Sequence, residues 1–118
     1  GKKSVALDLR EATDKSALLQ IIQSSDLLVQ NLKPGSLAGL GVDLDLLHAK
    51  RPEFISLSIS GFSPDGPGHK RKAYDLLMQA ESGLAQITGS AHEPGRVGVS
   101  IVDIATGQFA YEAILRLC

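Results

Sequence analysis

Asp26-Leu27-Leu28-Val29-Gln30-Asn31 places three apolar residues between polar ones. The run is too short for a helix and apolar on both faces, which predicts a buried strand of a parallel sheet over 26–30. Before it, Leu18, Leu19, Ile21 and Ile22 recur at helical spacing behind Thr13 or Asp14 as a cap, so a helix is predicted over Lys15 to Ser24. Earlier still, Val5, Leu7 and Leu9 alternate without a turn residue and predict a first strand over 4–9 with a polar end at Asp8 and Arg10. On the other side, Pro34, Gly35 and Gly39 break the chain. Asp43 then leads into a short helix through Leu44, Leu46 and Leu47, with His48, Lys50 and Arg51 at its end and Pro52 beyond. Phe54 to Ser60 alternates cleanly and predicts a third strand. Three strands with helical connections point to an α/β class: an open, mostly parallel sheet with flanking helices.

The next segment, Gly61-Phe62-Ser63-Pro64-Asp65-Gly66-Pro67-Gly68-His69-Lys70-Arg71-Lys72-Ala73, holds three glycines, two prolines and a basic block, and so reads as an irregular loop. It starts at the C-terminal end of a predicted parallel strand, the edge where ligands collect in such sheets. After Tyr74 and Asp75, a helix is predicted with Leu76, Leu77, Ala80 and Leu84 on one side, broken near Gly83 and Gly89. A last helix is predicted from about Ile104, with Ala105, Phe109, Ala113 and Leu117 as its apolar stripe.

The chain has 118 residues with 12 Lys+Arg against 13 Asp+Glu, a formal net charge of −1. That balance gives no field to attract nucleic acid or an acidic membrane, so an electropositive site has to be local. No apolar run is long enough to cross a bilayer. The one cysteine, Cys118, supports neither a disulfide framework nor a cysteine-based zinc site, and a soluble, cytoplasmic setting is expected. The sequence begins at Gly1 and stops inside a helical pattern, so it is expected to be an internal piece of a longer protein.

Asp103 is the most informative single residue. It closes Val97-Gly98-Val99-Ser100-Ile101-Val102 directly before the last predicted helix, where backbone N–H groups and the dipole favour a negative charge. A poorly hydrated carboxylate there can attack an activated acyl carbon and form a covalent intermediate. The plain reading of the same residue is an Asp helix cap. His48, His69 and His92 lie far apart, and no pair has metal-ligand spacing, so no metal is expected. The loop at 61–68 matches neither the phosphate-loop nor the dinucleotide pattern. His69-Lys70-Arg71-Lys72 is either a phosphate contact or a solvated loop. Arg10 and Lys33 fall at predicted strand ends, and with Lys72 they form a candidate cationic rim.

Taken together, several stretches resemble the class III coenzyme A transferases (the CaiB/BaiF type). They are Val-Ala-Leu-Asp-Leu-Arg at 5–10, Asp-Leu-Leu-Val-Gln-Asn-Leu-Lys-Pro-Gly at 26–35, Leu40-Gly41, Arg51-Pro52, Ser-Ile-Ser-Gly-Phe at 58–62, Gly66-Pro67, Ala-Tyr-Asp at 73–75, Gln79-Ala80, Ser82-Gly83, and Gly98 through Gly107. The resemblance covers nearly the whole chain. It implies that residues 1–118 are part of a Rossmann-like large domain, with further family segments on either side. It implies that Asp103 is the nucleophile, which forms an aspartyl-acyl anhydride and then an aspartyl-CoA thioester that an acceptor carboxylate opens. Leu7, Asp8, Leu9 and Arg10 match the stretch along the adenine and ribose-phosphate end of CoA. Asn31, Leu32 and Lys33 match the next CoA-contacting turn, and Lys72, Ala73, Tyr74 and Asp75 match the segment beside the pantetheine.

The implied substrates are an acyl-CoA and a carboxylic acid, with coenzyme A as a substrate rather than a resident cofactor. The implied assembly is an interlocked homodimer. The family often has a basic residue where Gly39 stands, so one phosphate contact is either missing here or supplied by His69, Lys70 or Arg71. The related α-methylacyl-CoA racemases place His-Asp where Tyr74-Asp75 stands, because α-proton exchange needs a second acid/base group. A tyrosine with a pKa near 10 is a poor substitute, which favours acyl transfer. A racemase-like enzyme and a non-catalytic CoA-binding or oligomerisation module are the alternatives.

Overall fold

In the computed structural model, which describes residues 1–117, strand β1 (Leu27–Gln30) pairs in parallel with β2 (Ile55–Ser58). Leu27 stands opposite Ile55 and Gln30 opposite Ser58. The last pair is also locked by side chains, since Gln30 Nε2 donates to Ser58 Oγ at 2.8 Å. The chain divides into two units, Gly1–Ser58 and the residues from Ile59 onward.

In the first unit, helix α1 (Ala12–Gln23) precedes β1, and the short helices α2 (Ser36–Gly39) and α3 (Leu44–Lys50) form the crossover to β2. The core is Ile22, Val42 and Phe54, with Leu18, Leu19, Leu28, Leu37, Leu44 and Leu47 packed against it. Val42 reaches it because α2 ends sharply. Gly41 takes φ +84°, its N–H bonds Ala38 O at 2.9 Å, and the Val42 N–H bonds Leu37 O at 3.0 Å. This left-handed turn uses two carbonyls that the helix end leaves free. α3 starts on Asp43, whose Oδ1 accepts the Leu46 N–H at 2.9 Å. Arg51 closes α1 from across the unit: its Nη1 donates to Gln23 O at 2.6 Å and Ser25 O at 2.9 Å, a cation at a helix C-terminus.

Three expectations are corrected here. Residues 4–9 form no strand, so the described sheet is a two-stranded parallel ladder in a mixed α/β unit rather than a three-stranded open sheet. The backbone groups at Asp8 are already used in a turn: its N–H donates to Asp14 Oδ2 at 2.7 Å, and its carbonyl accepts the Glu11 N–H at 2.9 Å. Asp14 therefore lies inside α1 holding the preceding chain, and the N-cap is Glu11 without a side-chain cap bond. Val29, expected to be buried, is 50% exposed because a two-stranded ladder leaves part of β1 uncovered.

The second unit is helical: α4 (Asp75–Glu81), α5 (Leu84–Thr88) and α6 (Ile101–Leu115) follow the irregular loop, and α4 packs on both of the others. α6 starts three residues earlier than expected, on Ser100 as N-cap. Its partly buried positions are Ile101, Val102, Ala105, Thr106, Ala110 and Ile114, whereas Phe109 of the expected stripe is 70% exposed. Leu76 and Leu77 of α4 are also largely exposed, and the side chain that α4 buries is Gln79. Among the described residues no helix is long and apolar enough to cross a membrane. Cys118 lies outside the described residues.

Candidate active site

The second unit brings Asp75 and Asp103 together. Tyr74 is the extended residue ahead of α4, so Asp75 opens that helix. Its Oδ1 accepts the N–H of Val102 at 2.8 Å and that of Asp103 at 3.3 Å. Its Oδ2 accepts Gln79 Nε2 at 2.6 Å. Two of the first-turn amides of α6 are thus bound by a carboxylate from another helix. The third, on Ile101, bonds Val99 O at 2.8 Å. Asp103 is therefore not the cap; it is the third residue of α6, and Asp75 does the capping.

The Asp103 side chain is exposed. None of the four ion pairs among the described residues involves it. Such a carboxylate, fixed on a helix whose N-terminal amides are already satisfied, is sterically open to an electrophile.

Burial pushes the Asp75 carboxyl up. Hydrogen bonds from Gln79, Val102 and Asp103, and the charge of Arg96, outweigh this and hold it below the ordinary aspartate value. A carboxyl with a depressed folded-state pKa stabilises the fold above its unfolded value of about 3.9 and loses that contribution as pH falls through the lower folded value. Thermal melts of the intact protein and of Asp75→Asn should therefore differ at pH 7, and the gap should close as pH drops below about 4. A gap that stays constant down to pH 2 would contradict this role.

The remaining predicted site residues sit as follows. Lys72 and Tyr74 are exposed, Tyr74 by 68%, while Ala73 is half-buried against Gly61. Arg71 is engaged internally, paired with Glu81 and lying 4.8 Å from the centroid of the Phe62 ring. The pair with Glu81 raises the Arg71 pKa and lowers that of Glu81. Among the described residues, Lys70 and Lys72 are the cations of the basic block that pair with no carboxylate.

In the first unit, Leu7, Asp8 and Leu9 are half-buried and Arg10 is exposed. With no strand at 4–9, Arg10 stands in the turn before α1, not at a strand end. Its Nη2 meets Asp8 Oδ2 at 2.6 Å and its Nε meets Asp8 Oδ1 at 2.9 Å, which lowers the Asp8 pKa. A phosphate reaching Arg10 has to compete with that fork. Asn31, Leu32 and Lys33 follow the C-terminal end of β1 and are exposed, with the Leu32 N–H held by Gln30 Oε1 at 2.7 Å. Among the described residues no group of three or more His, Cys, Asp or Glu could hold a metal ion.

The sequence reading missed Gln79 and Gly61 as parts of this site. A signal for Gln79 was present: Asp75 and Gln79 stand four residues apart, the spacing at which such side chains hydrogen-bond along a helix.

The sequence profile of CoA-transferase family III matches residues 1–117. The chain belongs to that family. A succinyl-CoA:glutarate CoA-transferase of Homo sapiens is 35% identical over 115 residues, which is 97% of this family III chain and 26% of the human protein. An acetyl-CoA:oxalate CoA-transferase of Acetobacter aceti is 35% identical over 113 residues, 94% of this chain and 29% of that one. Among solved structures, a CAIB/BAIF family protein from Brucella suis matches with a TM-score of 0.90 at 33% identity, covering 99% of this chain and 31% of that one. The family III chain thus spans about a quarter to a third of the length of these relatives.

Proposed function

We propose that this chain carries the nucleophile of an acyl-CoA:carboxylate CoA-transferase, and that Asp103 is that nucleophile. The observation that carries the reading is the exposed Asp103 carboxylate in the first turn of α6, whose amides Asp75 already satisfies. In the first step an Asp103 oxygen attacks the thioester carbonyl, the C–S bond breaks, and CoA leaves as the thiolate with an aspartyl-acyl anhydride formed. The thiolate then attacks the Asp103 carbonyl and expels the donor as its carboxylate, leaving an aspartyl-CoA thioester. The acceptor carboxylate attacks that thioester, re-forming an anhydride and thiolate. The thiolate takes the new acyl group and frees Asp103. Overall one acyl-CoA thioester is exchanged for another, and no step needs a net proton.

Arg10, Asn31, Lys33 and Lys72, with Leu7, Asp8, Leu9, Leu32, Ala73, Tyr74 and Asp75 beside them, are the residues we assign to CoA. Cations suit its phosphates, and Asn31 suits an amide or an adenine edge. The relatives named for succinyl-CoA:glutarate and acetyl-CoA:oxalate transfer make short dicarboxylic acids the acceptors to try first. The family's Rossmann-like large domain and interlocked homodimer are the proposed setting for this segment. The exposed apolar side chains of α6, Ile104, Phe109, Tyr111 and Leu115, support association with further protein surface.

A tyrosine at 74, rather than a second acid/base group, favours transfer over α-proton exchange. The test incubates the intact protein with succinyl-CoA or acetyl-CoA and a panel of dicarboxylic acids in deuterium oxide. New acyl-CoA without α-deuterium is expected. Deuterium incorporation without CoA transfer would overturn the reading in favour of a racemase, and CoA binding without either would favour a binding module.

A further inference from the structure

Gln79 is the most deeply buried polar side chain among the described residues, with none of its surface exposed. Its Oε1 accepts the Val97 N–H at 2.8 Å, and its Nε2 donates to Asp75 Oδ2 at 2.6 Å and points at Val99 O at 3.5 Å. Both ends of the amide are therefore used, as a buried glutamine requires. The same Asp75 binds the amides of Val102 and Asp103 through its other oxygen. An unbroken polar chain runs from segment 97–99 through Gln79 and Asp75 to the first turn of α6. It fixes the backbone on both sides of Ser100, one side through Gln79 itself and the other through Asp75.

We infer that Gln79 is a positioning residue that sets where the Asp103 carboxylate stands when it meets an acyl-CoA. The inference rests on the reading of Asp103 as nucleophile. A filler of the α4–α6 contact could be apolar; an amide that joins a carboxylate to two points on a neighbouring segment imposes direction as well as volume. Attack on a thioester is sensitive to such placement, since a shift of about 1 Å costs about 100-fold in rate. Gln79 touches neither substrate nor reacting atoms and acts through Asp75 and the first turn of α6.

The test replaces the amide by a carboxyl. In Gln79→Glu, the protonated side chain can still donate to Asp75 and accept from Val97. Once ionised it sets a second negative charge against Asp75, and the clamp opens. The charged groups around it are Asp75 on α4, Arg96 on the preceding segment and Asp103 on α6. Two facing carboxylates raise the pKa of one of them, above the ordinary range of about 4.

The rate at which succinyl-CoA or acetyl-CoA loads Asp103 in the intact protein, read by borohydride or hydroxylamine trapping and mass spectrometry, should therefore fall about 10- to 100-fold as pH rises through that value in Gln79→Glu. The wild type should show no such limb, and KM for the acyl-CoA should not move. The swap Asp75→Asn with Gln79→Glu restores the main contacts with donor and acceptor exchanged. It should remove the limb and load Asp103 faster than Gln79→Glu does above that pH, and the missing limb also decides the matter if Gln79→Glu alone does not fold. A Gln79→Glu profile like the wild type's, or a swap no faster than the single variant, overturns the clamp alone. A wild type in which neither thioester labels Asp103 overturns the nucleophile reading and the clamp with it.

Discussion

Asp103→Asn in the intact protein should lose CoA transfer by about 10⁴-fold or more, the scale expected when a covalent nucleophile is removed. An amide lacks the charged oxygen that opens the thioester, so neither the anhydride nor the aspartyl-CoA thioester can form. Stability should hardly change, within about 0.5 kcal/mol, because an exposed side chain that joins none of the ion pairs among the described residues is near-neutral on substitution. The contacts that organise the first turn of α6 come from Asp75 to the backbone and survive the change. Asp103→Glu keeps the charge but displaces it by one methylene, and should retain a rate about 100-fold below wild type. Peptide mapping after trapping should find the hydroxamate, or the alcohol left by borohydride reduction, at residue 103 in the wild type and neither in Asp103→Asn. A variant that keeps more than about a tenth of the activity would end the assignment.

The contrast between Asp103 and Asp75 also shows where sequence reading reached its limit. The parallel pairing of 27–30 with 55–58 was readable because short apolar runs, a capped helix after Asp43 and breakers at Pro34 and Gly35 all pointed one way. The strand expected at 4–9 was not real in this sheet. Alternation reports which faces are apolar, while a strand also needs a neighbour for its backbone groups. At α6 the difficulty was different: the helix is apolar on most sides, so periodicity could not select a face, and Phe109 was placed inward when it is 70% exposed. An aspartate in the first turn of a helix suits the dipole as well as one at the cap does, so Asp103 looked like the cap. The actual cap reaches in from residue 75, a contact 28 residues away in sequence that no local pattern announces.

Gly61 carries the second large expectation. A Cβ built on it overlaps the Ala73 Cβ and comes within 3.3 Å of both Ala73 Cα and Met78 Sδ. The glycine lets the start of the irregular loop lie directly against its end, just before Tyr74 and Asp75. Gly61→Val should therefore destabilise by about 1–3 kcal/mol through overpacking, seen as a lower denaturant midpoint. It should also slow loading of Asp103, about 10- to 100-fold, since any escape of Ala73 moves the residues that lead into the Asp75 cap.

Because the worst overlap is between two Cβ atoms, moving the methyl from one side to the other discriminates this cause from a general loop effect. Gly61→Ala should be destabilised, and adding Ala73→Gly should recover part of the loss, giving a coupling of about 0.5–3 kcal/mol in a double-mutant cycle. Recovery should be incomplete, because the 3.3 Å approach to Ala73 Cα remains. If the two substitutions instead add independently, the close approach of these segments is not what Gly61 supplies, and its effect belongs to the freedom of the loop backbone.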